Sequence, residues 1–112
     1  MDQDDLQRFE EVGSRVEFPA GKVLIEHGQP GTGLYVVVEG SVVVEAPESE
    51  RELGPGSVVG ERALFAEHGR RTARVRALTD CVLLAVDRAE IDRLCAEDAA
   101  FAERIQRPPA TR

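Results

Sequence analysis

A chain of 112 residues, 42% of them hydrophobic, is long enough to bury one core, and it has no apolar run near the roughly 20 residues that a membrane-spanning helix needs. Its formal net charge of −7 argues against nucleic acid or an anionic membrane as a partner, because phosphate groups would be repelled overall. The acidic start, residues 1–5, is unlike a secretory signal, so we expect a cytoplasmic protein with residues 1–112 as a single domain.

The predicted elements begin with a short amphipathic helix over residues 4–12, which ends at Gly13. Its apolar face consists of Leu6, Phe9 and Val12. Over residues 15–87 the pattern changes to short β segments separated by turn residues, which is typical of a closed or rolled sheet. The predicted strands are residues 15–18, 22–26, 34–38, 41–45, 58–59, 71–78 and 81–86.

Two connections between these segments carry specific predictions. Glu39 and Gly40 form a tight-turn signal, so residues 34–38 and 41–45 are expected to pair as a hairpin. Residues 46–50 are expected to form a polar turn.

Helices are predicted beside and after the last strands. Residues 61–67 form one or two helical turns, and Asp87 is expected to cap a helix that runs to about Cys95. A second helical stretch covers about residues 98–106 and stops before Pro108. These last helices present an apolar stripe that either docks on the sheets, as we favour, or contacts a partner: Ile91, Leu94, Phe101 and Ile105.

Arg71 is the residue that points most directly to a function. Alternation along residues 71–78 places it on the same face as Ala73, Val75 and Ala77, whereas Arg74 belongs to the opposite face. A guanidinium on an apolar face needs an anionic partner, because burying an isolated charge is costly. That partner is either an internal carboxylate or the phosphate of a ligand.

The residues upstream favour the ligand. Gly60 allows close approach to its backbone, and the helix start after it presents free N–H groups to an anion. Small Ala63 leaves room above that turn. Glu61 either accepts a hydrogen bond from a sugar hydroxyl or stabilises the helix start, and Thr72 either reaches the ligand or is an ordinary strand residue.

Two motifs resemble the cyclic nucleotide-binding domain family, to which the catabolite activator protein and the regulatory subunits of protein kinase A belong. Gly60-Glu61-Arg62-Ala63-Leu64 with Arg71-Thr72-Ala73 is similar to its phosphate-binding cassette, and residues 24–31 with 34–37 and Gly40 are similar to its first β signature. The resemblance covers about residues 15–106. It implies a mainly β fold: an eight-stranded β-roll over about residues 15–87, with an N-terminal helix, a short cassette helix and C-terminal helices over about 88–106.

The resemblance also implies a binding site without catalytic residues. Arg71 would bind the cyclic phosphate of cAMP or cGMP, Glu61 the ribose 2′-hydroxyl, and the backbone of Arg62, Ala63 and Leu64 the rest of the phosphate. Thr72 would assist the phosphate or the base. Leu53 and Val59 would line the pocket. Arg62 departs from the family, which often has leucine or isoleucine there, and the chain ends where many members continue into a longer helix.

These observations predict a sensor that binds a cyclic nucleotide, needs no cofactor or metal, and acts on a separate effector protein. The sequence leaves a homodimer open, and we expect no DNA binding, because no DNA-binding helical domain follows. One alternative is an interaction module that no longer binds nucleotide, and another is a regulatory domain of a larger channel, transporter or enzyme, although Met1 favours a complete protein. A metal-dependent enzyme of the cupin type would need more ligands than His27 and His68, and Cys81 and Cys95 are expected to be buried, reduced thiols.

Overall fold

The structure, a computed structural model, describes residues 3–26, 33–47, 49–60 and 73–106. Within these residues it has three helices and eight strands, which confirms the mainly β class. The helices are α1 Gln3–Val12, α2 Arg88–Glu97 and α3 Ala99–Gln106. The strands are β1 Ser14–Phe18, β2 Val23–Ile25, β3 Gly33–Glu39, β4 Val42–Ala46, β5 Ser49–Leu53, β6 Val58–Val59, β7 Arg74–Ala77 and β8 Cys81–Asp87. The predicted cassette helix, residues 61–67, lies outside the described part of the chain.

The strands form two antiparallel sheets of four. The first has the order β1-β8-β3-β6 and the second the order β2-β7-β4-β5. Consecutive strands therefore often belong to different sheets, and the chain passes repeatedly between them, as it does in a β-roll.

The predicted hairpin at Glu39 and Gly40 is wrong. β3 pairs with β8 and β6, whereas β4 pairs with β5 and β7, so the turn carries the chain from one sheet to the other. Gly40 has φ of 82°, and a Cβ added to it would lie 2.4 Å from the backbone oxygen of Asp80. The turn is therefore packed against the start of β8, and β8 and β6 already pair with the two edges of β3.

The predicted polar turn over residues 46–50 is also too long. Ala46 ends β4 and pairs with Ser49, which begins β5, so the connection is shorter and the hairpin is here. The charged residues of β5 have a composition typical of a turn, but the strand is hydrogen-bonded to β4 along one side of its backbone.

The two central strands of the first sheet, β8 and β3, are covered on both faces. Leu34 and Val36 of β3 point to a core shared with the helices, whereas Val37 points to a second core between the sheets. β8 alternates in the same way, with Leu84 on the helix side and Leu83 on the inner side. This sheet is therefore a common wall between the helical layer and the interior of the roll.

A polar side chain caps the start of each of the two C-terminal helices, and the cap at Asp87 is the one that was predicted. The Asp87 carboxylate accepts a hydrogen bond from the Glu90 amide at 3.0 Å, and Asp98 accepts from the amides of Ala100 at 3.0 Å and Phe101 at 3.2 Å. The apolar stripe docks on the first sheet, which confirms the core interpretation: Ile91, Leu94, Phe101 and Ile105 are all buried there. None of the helices in the described residues is long and apolar enough to span a bilayer.

Candidate functional site

The predicted site falls mostly on a segment whose structure is not described. Six of its residues lie there: Glu61, Arg62, Ala63, Leu64, Arg71 and Thr72. Gly60 and the two predicted pocket-lining residues, Leu53 and Val59, are described. The positions of the ends of the segment can therefore be examined.

The described residues that flank this segment on either side are buried in the same core. Val59 of β6, immediately before Gly60, is buried in the cluster between the sheets. Val75 of β7, which follows the segment, is buried in the same cluster. β6 belongs to the first sheet and β7 to the second, so the chain passes from one sheet to the other between these two strands.

Two of the described candidates contact the core between the sheets. Val59 belongs to the inner cluster, and Leu53, at the end of β5, is half-buried against it. Gly60 has φ of 92°, a backbone conformation that residues with a Cβ rarely adopt. Glycine is thus required there by the turn itself, a reason that sequence reasoning had not included.

The face alternation predicted for β7 is confirmed over Arg74–Ala77, where Val75 and Ala77 are buried. On the outer face, Arg74 donates to Glu26 at 2.8 Å and Arg76 to Glu45 at 3.2 Å. The hydrogen bond and charge of Glu26 raise the pKa of Arg74. Both arginines of β7 thus have carboxylate partners within the protein, which sequence reasoning had left solvated.

The family follows from comparison with known proteins. A family model described as the cyclic nucleotide-binding domain matches residues 15–98. This chain belongs to the cyclic nucleotide-binding domain family. The matched range includes the whole segment between β6 and β7.

Curated relatives of this cyclic nucleotide-binding domain include channels and transcriptional regulators. The chain is 42% identical over 85 residues to the cyclic nucleotide-gated potassium channel mll3241 of Mesorhizobium japonicum, with 76% of this chain and 23% of the channel covered. It is 29% identical over 103 residues to a CRP-like cAMP-activated global transcriptional regulator of Mycobacterium tuberculosis, with 87% and 46% covered. The chain thus spans less than half of either relative.

Solved structures share the fold. A protein from a cyclic-GMP-dependent signalling pathway that regulates bacterial phytopathogenesis has a TM-score of 0.84 and 29% identity, covering 95% of this chain and 88% of that one. The catabolite activator protein of Thermus thermophilus has a TM-score of 0.78 and 28% identity, covering 95% and 52%.

Sequence reasoning missed how the cyclic nucleotide-binding domain ties its first helix to its last. The Asp5 carboxylate, almost fully buried, accepts two hydrogen bonds from Arg104 at 2.7 and 2.8 Å. Arg8 donates to Asp98 at 2.8 Å, and the Phe9 and Phe101 rings pack 5.4 Å apart. No local pattern reveals pairs about 90 residues apart in sequence.

The remaining candidate ligands do not assemble a metal site within the described residues, where no group of three or more metal-type side chains occurs. His27 and His68 lie outside those residues. Cys81 is buried and Cys95 half-buried, and both are free thiols. Burial, with a smaller effect from Asp80 or Asp92, raises the pKa of each thiol.

Proposed function

We propose that this cyclic nucleotide-binding domain is a sensor that binds cAMP or cGMP at residues 60–64 and 71–72 and regulates a separate effector without chemical turnover. The observation that carries the proposal is that Val59 and Val75, which flank residues 61–72, are buried in one core between the sheets. The family match includes the whole of that stretch, which supports the proposal. The names of the relatives, which are cAMP-activated or cyclic nucleotide-gated, support this class of ligand.

The phosphate is assigned to Arg71. Arg74 and Arg76 are engaged by Glu26 and Glu45 on the outer face, so they are poor candidates for an internal anion. Gly60 and the backbone amides of Arg62, Ala63 and Leu64 complete the phosphate contacts in this proposal. Glu61 binds the ribose 2′-hydroxyl, and Thr72 assists the phosphate or the base.

The route from this site to the helices runs through β6 in our proposal. Val59 contacts the inner core, whereas its neighbour Val58 packs against the core that holds the helices. A ligand that tightens the segment after Gly60 moves the strand whose two side chains contact both cores. The ligand shifts the helical layer only by its difference in affinity between the two arrangements.

Thermal unfolding with cAMP, cGMP or cyclic di-GMP tests the proposal. At a ligand concentration 100 times the dissociation constant, binding to the native state adds about 2.7 kcal/mol to the free energy of unfolding. Arg71→Ala should abolish most of that shift. Arg74→Ala is the matched control: it removes an arginine nearby on the same stretch, and the shift should remain.

The outcomes separate the alternatives. A shift with cAMP or cGMP that is lost in Arg71→Ala and kept in Arg74→Ala supports the sensor. Glu61→Gln should then weaken binding of the cyclic nucleotide, because it alters the group that binds the ribose 2′-hydroxyl. An unchanged affinity for the nucleotide would show that Glu61 does not have this role. If none of the three nucleotides raises the wild-type midpoint, the interaction module is the better description. If cyclic di-GMP alone raises it, the domain is a sensor whose ligand is misassigned.

A further inference from the structure

Two of the sheet edges are long enough to pair with another strand. Within the described residues, the edge strands are β1 and β6 of the first sheet and β2 and β5 of the second. β1 and β5 each have 5 residues, whereas β2 has 3 and β6 has 2. Each of the two longer edges has one neighbouring strand, β8 or β4, in the described part of the chain, and so offers its other backbone side for hydrogen bonding.

The charges on β5 oppose pairing with a copy of itself. In a symmetric antiparallel pair, opposite residues share a face, so the two-fold axis must pass through a residue and its own copy. An axis at Arg51 places that residue against itself and Glu50 against Glu52 of the copy. An axis at Glu50 or Glu52 places two like carboxylates in contact, and like charges directly opposite are destabilising.

The charges on β1 favour such pairing in one register. An axis at Val16 places Arg15 opposite Glu17 of the second copy, twice by symmetry, and Val16 opposite itself. An axis at Arg15 or Glu17 would instead oppose like charges. Arg15 pairs with Leu84 of β8, so the two charged side chains lie on the helix-side face of the sheet, where both are exposed. Val16 is half-buried toward the inner core.

The contact that Arg15 makes within its own chain leaves it available. Its guanidinium lies 3.4 Å from the Glu39 carboxylate, and the two side chains are 58% and 67% exposed. Such a loose surface pair contributes little, so Arg15 can move toward an opposite carboxylate at small cost.

We propose that β1 is a self-association edge: it pairs antiparallel with β1 of a second copy, centred on Val16, and joins the two first sheets into one. The association is weak and transient. Five residues per strand bury less than the roughly 1,000 Å² of a stable interface, and each copy carries a net charge of −7.

Variants that swap the charges of Arg15 and Glu17 in the full chain test the register. Their self-association is measured by sedimentation equilibrium up to about millimolar protein concentration. Arg15→Glu and Glu17→Arg each place like charges opposite one another and should weaken association about tenfold. The double variant Arg15→Glu/Glu17→Arg restores opposite charges and should return to near wild type. Glu10→Arg on α1 is the control, because Glu10 is exposed and the substitution changes the net charge as Glu17→Arg does but lies on neither long edge strand.

The pattern of results decides the matter. Loss in both single variants, recovery in the double variant and no loss in Glu10→Arg support the β1 pair, provided that all four melt like wild type. A wild-type chain that stays monomeric at millimolar concentration overturns it. Equal behaviour of Glu17→Arg and Glu10→Arg also overturns it, because net charge alone would then govern association. Failure of the double variant to recover overturns it as well.

Discussion

Replacement of Gly40 by alanine tests the crossing between the two sheets. Gly40 has φ of 82° and lies where the chain leaves β3 for β4. Gly21 offers a matched control, because its φ is 91° but a Cβ added to it meets nothing within 4 Å. The two substitutions therefore share the cost of the left-handed backbone and differ in the space around the new methyl group.

The structure sets the size of that difference. At Gly40 the added Cβ would lie 2.4 Å from the Asp80 backbone oxygen, 2.8 Å from the Cys81 Cβ and 2.9 Å from the Cys81 Cα. The left-handed conformation costs an L-residue about 1–2 kcal/mol at either site. Displacing the start of β8 adds about 1–3 kcal/mol at Gly40. We therefore expect Gly40→Ala to lose roughly 2–5 kcal/mol and Gly21→Ala about 1–2 kcal/mol.

Chemical denaturation of the two variants and the wild type gives both values, and thermal melting should show the same order. The comparison depends on the difference between the variants, since errors of extrapolation largely cancel. If Gly21→Ala and Gly40→Ala are destabilised equally, the Gly40 turn is not packed against β8, and the assignment of β3 and β4 to separate sheets loses its main steric support.

Asp98 should contribute to acid sensitivity, because hydrogen bonds from Arg8 and then from the Phe101 amide lower its pKa. Its stabilisation is present above its ordinary pKa and is lost as the pH falls through the lowered one, so Asp98→Asn should flatten the acid limb of a melting profile, and an unchanged limb would contradict this. Phe9→Leu and Phe101→Leu should couple by about 0.5–1.5 kcal/mol in a double-mutant cycle. Simple additivity would show that the 5.4 Å ring contact contributes nothing specific. Cys81, buried and with a raised pKa, should react with a thiol reagent at neutral pH no faster than the chain opens, as followed by absorbance.

Local signals in the sequence were sufficient for most of the elements. Asp87 satisfies free amides at a helix start, and that chemistry acts over three residues, so the start of α2 was predictable. The apolar spacing that placed Phe9 on the buried face of α1 is equally local. Ion pairs such as Asp5 with Arg104 depend on how distant helices meet, and nothing near either residue in the sequence encodes them.

The candidate site was predictable in a different way. Gly60 was predicted from a motif, and its positive φ gives a separate, conformational reason for glycine there. Val59 was predicted to line the pocket, and the structure shows that it is buried in the core between the sheets. Arg71 was inferred from alternation, but the regular strand begins at Arg74, so alternation by itself does not extend to it. Its assignment depends on the family motif and on the engagement of the other two β7 arginines.

The hairpin prediction at Gly40 was wrong for a physical reason, and the composition of the strands shows what that reason is. A turn signal states that the chain reverses, but it does not state whether the next strand joins the same sheet. The better signal was the unbroken apolar run in β3 and β8, since a strand covered on one face alternates, whereas a strand covered on both faces does not. β7 alternates arginine with apolar residues, as expected for a sheet with one exposed face. The different patterns of β3 and β7 indicate that the two strands belong to sheets with different surroundings. In the described residues the helices pack on the first sheet, which contains β3.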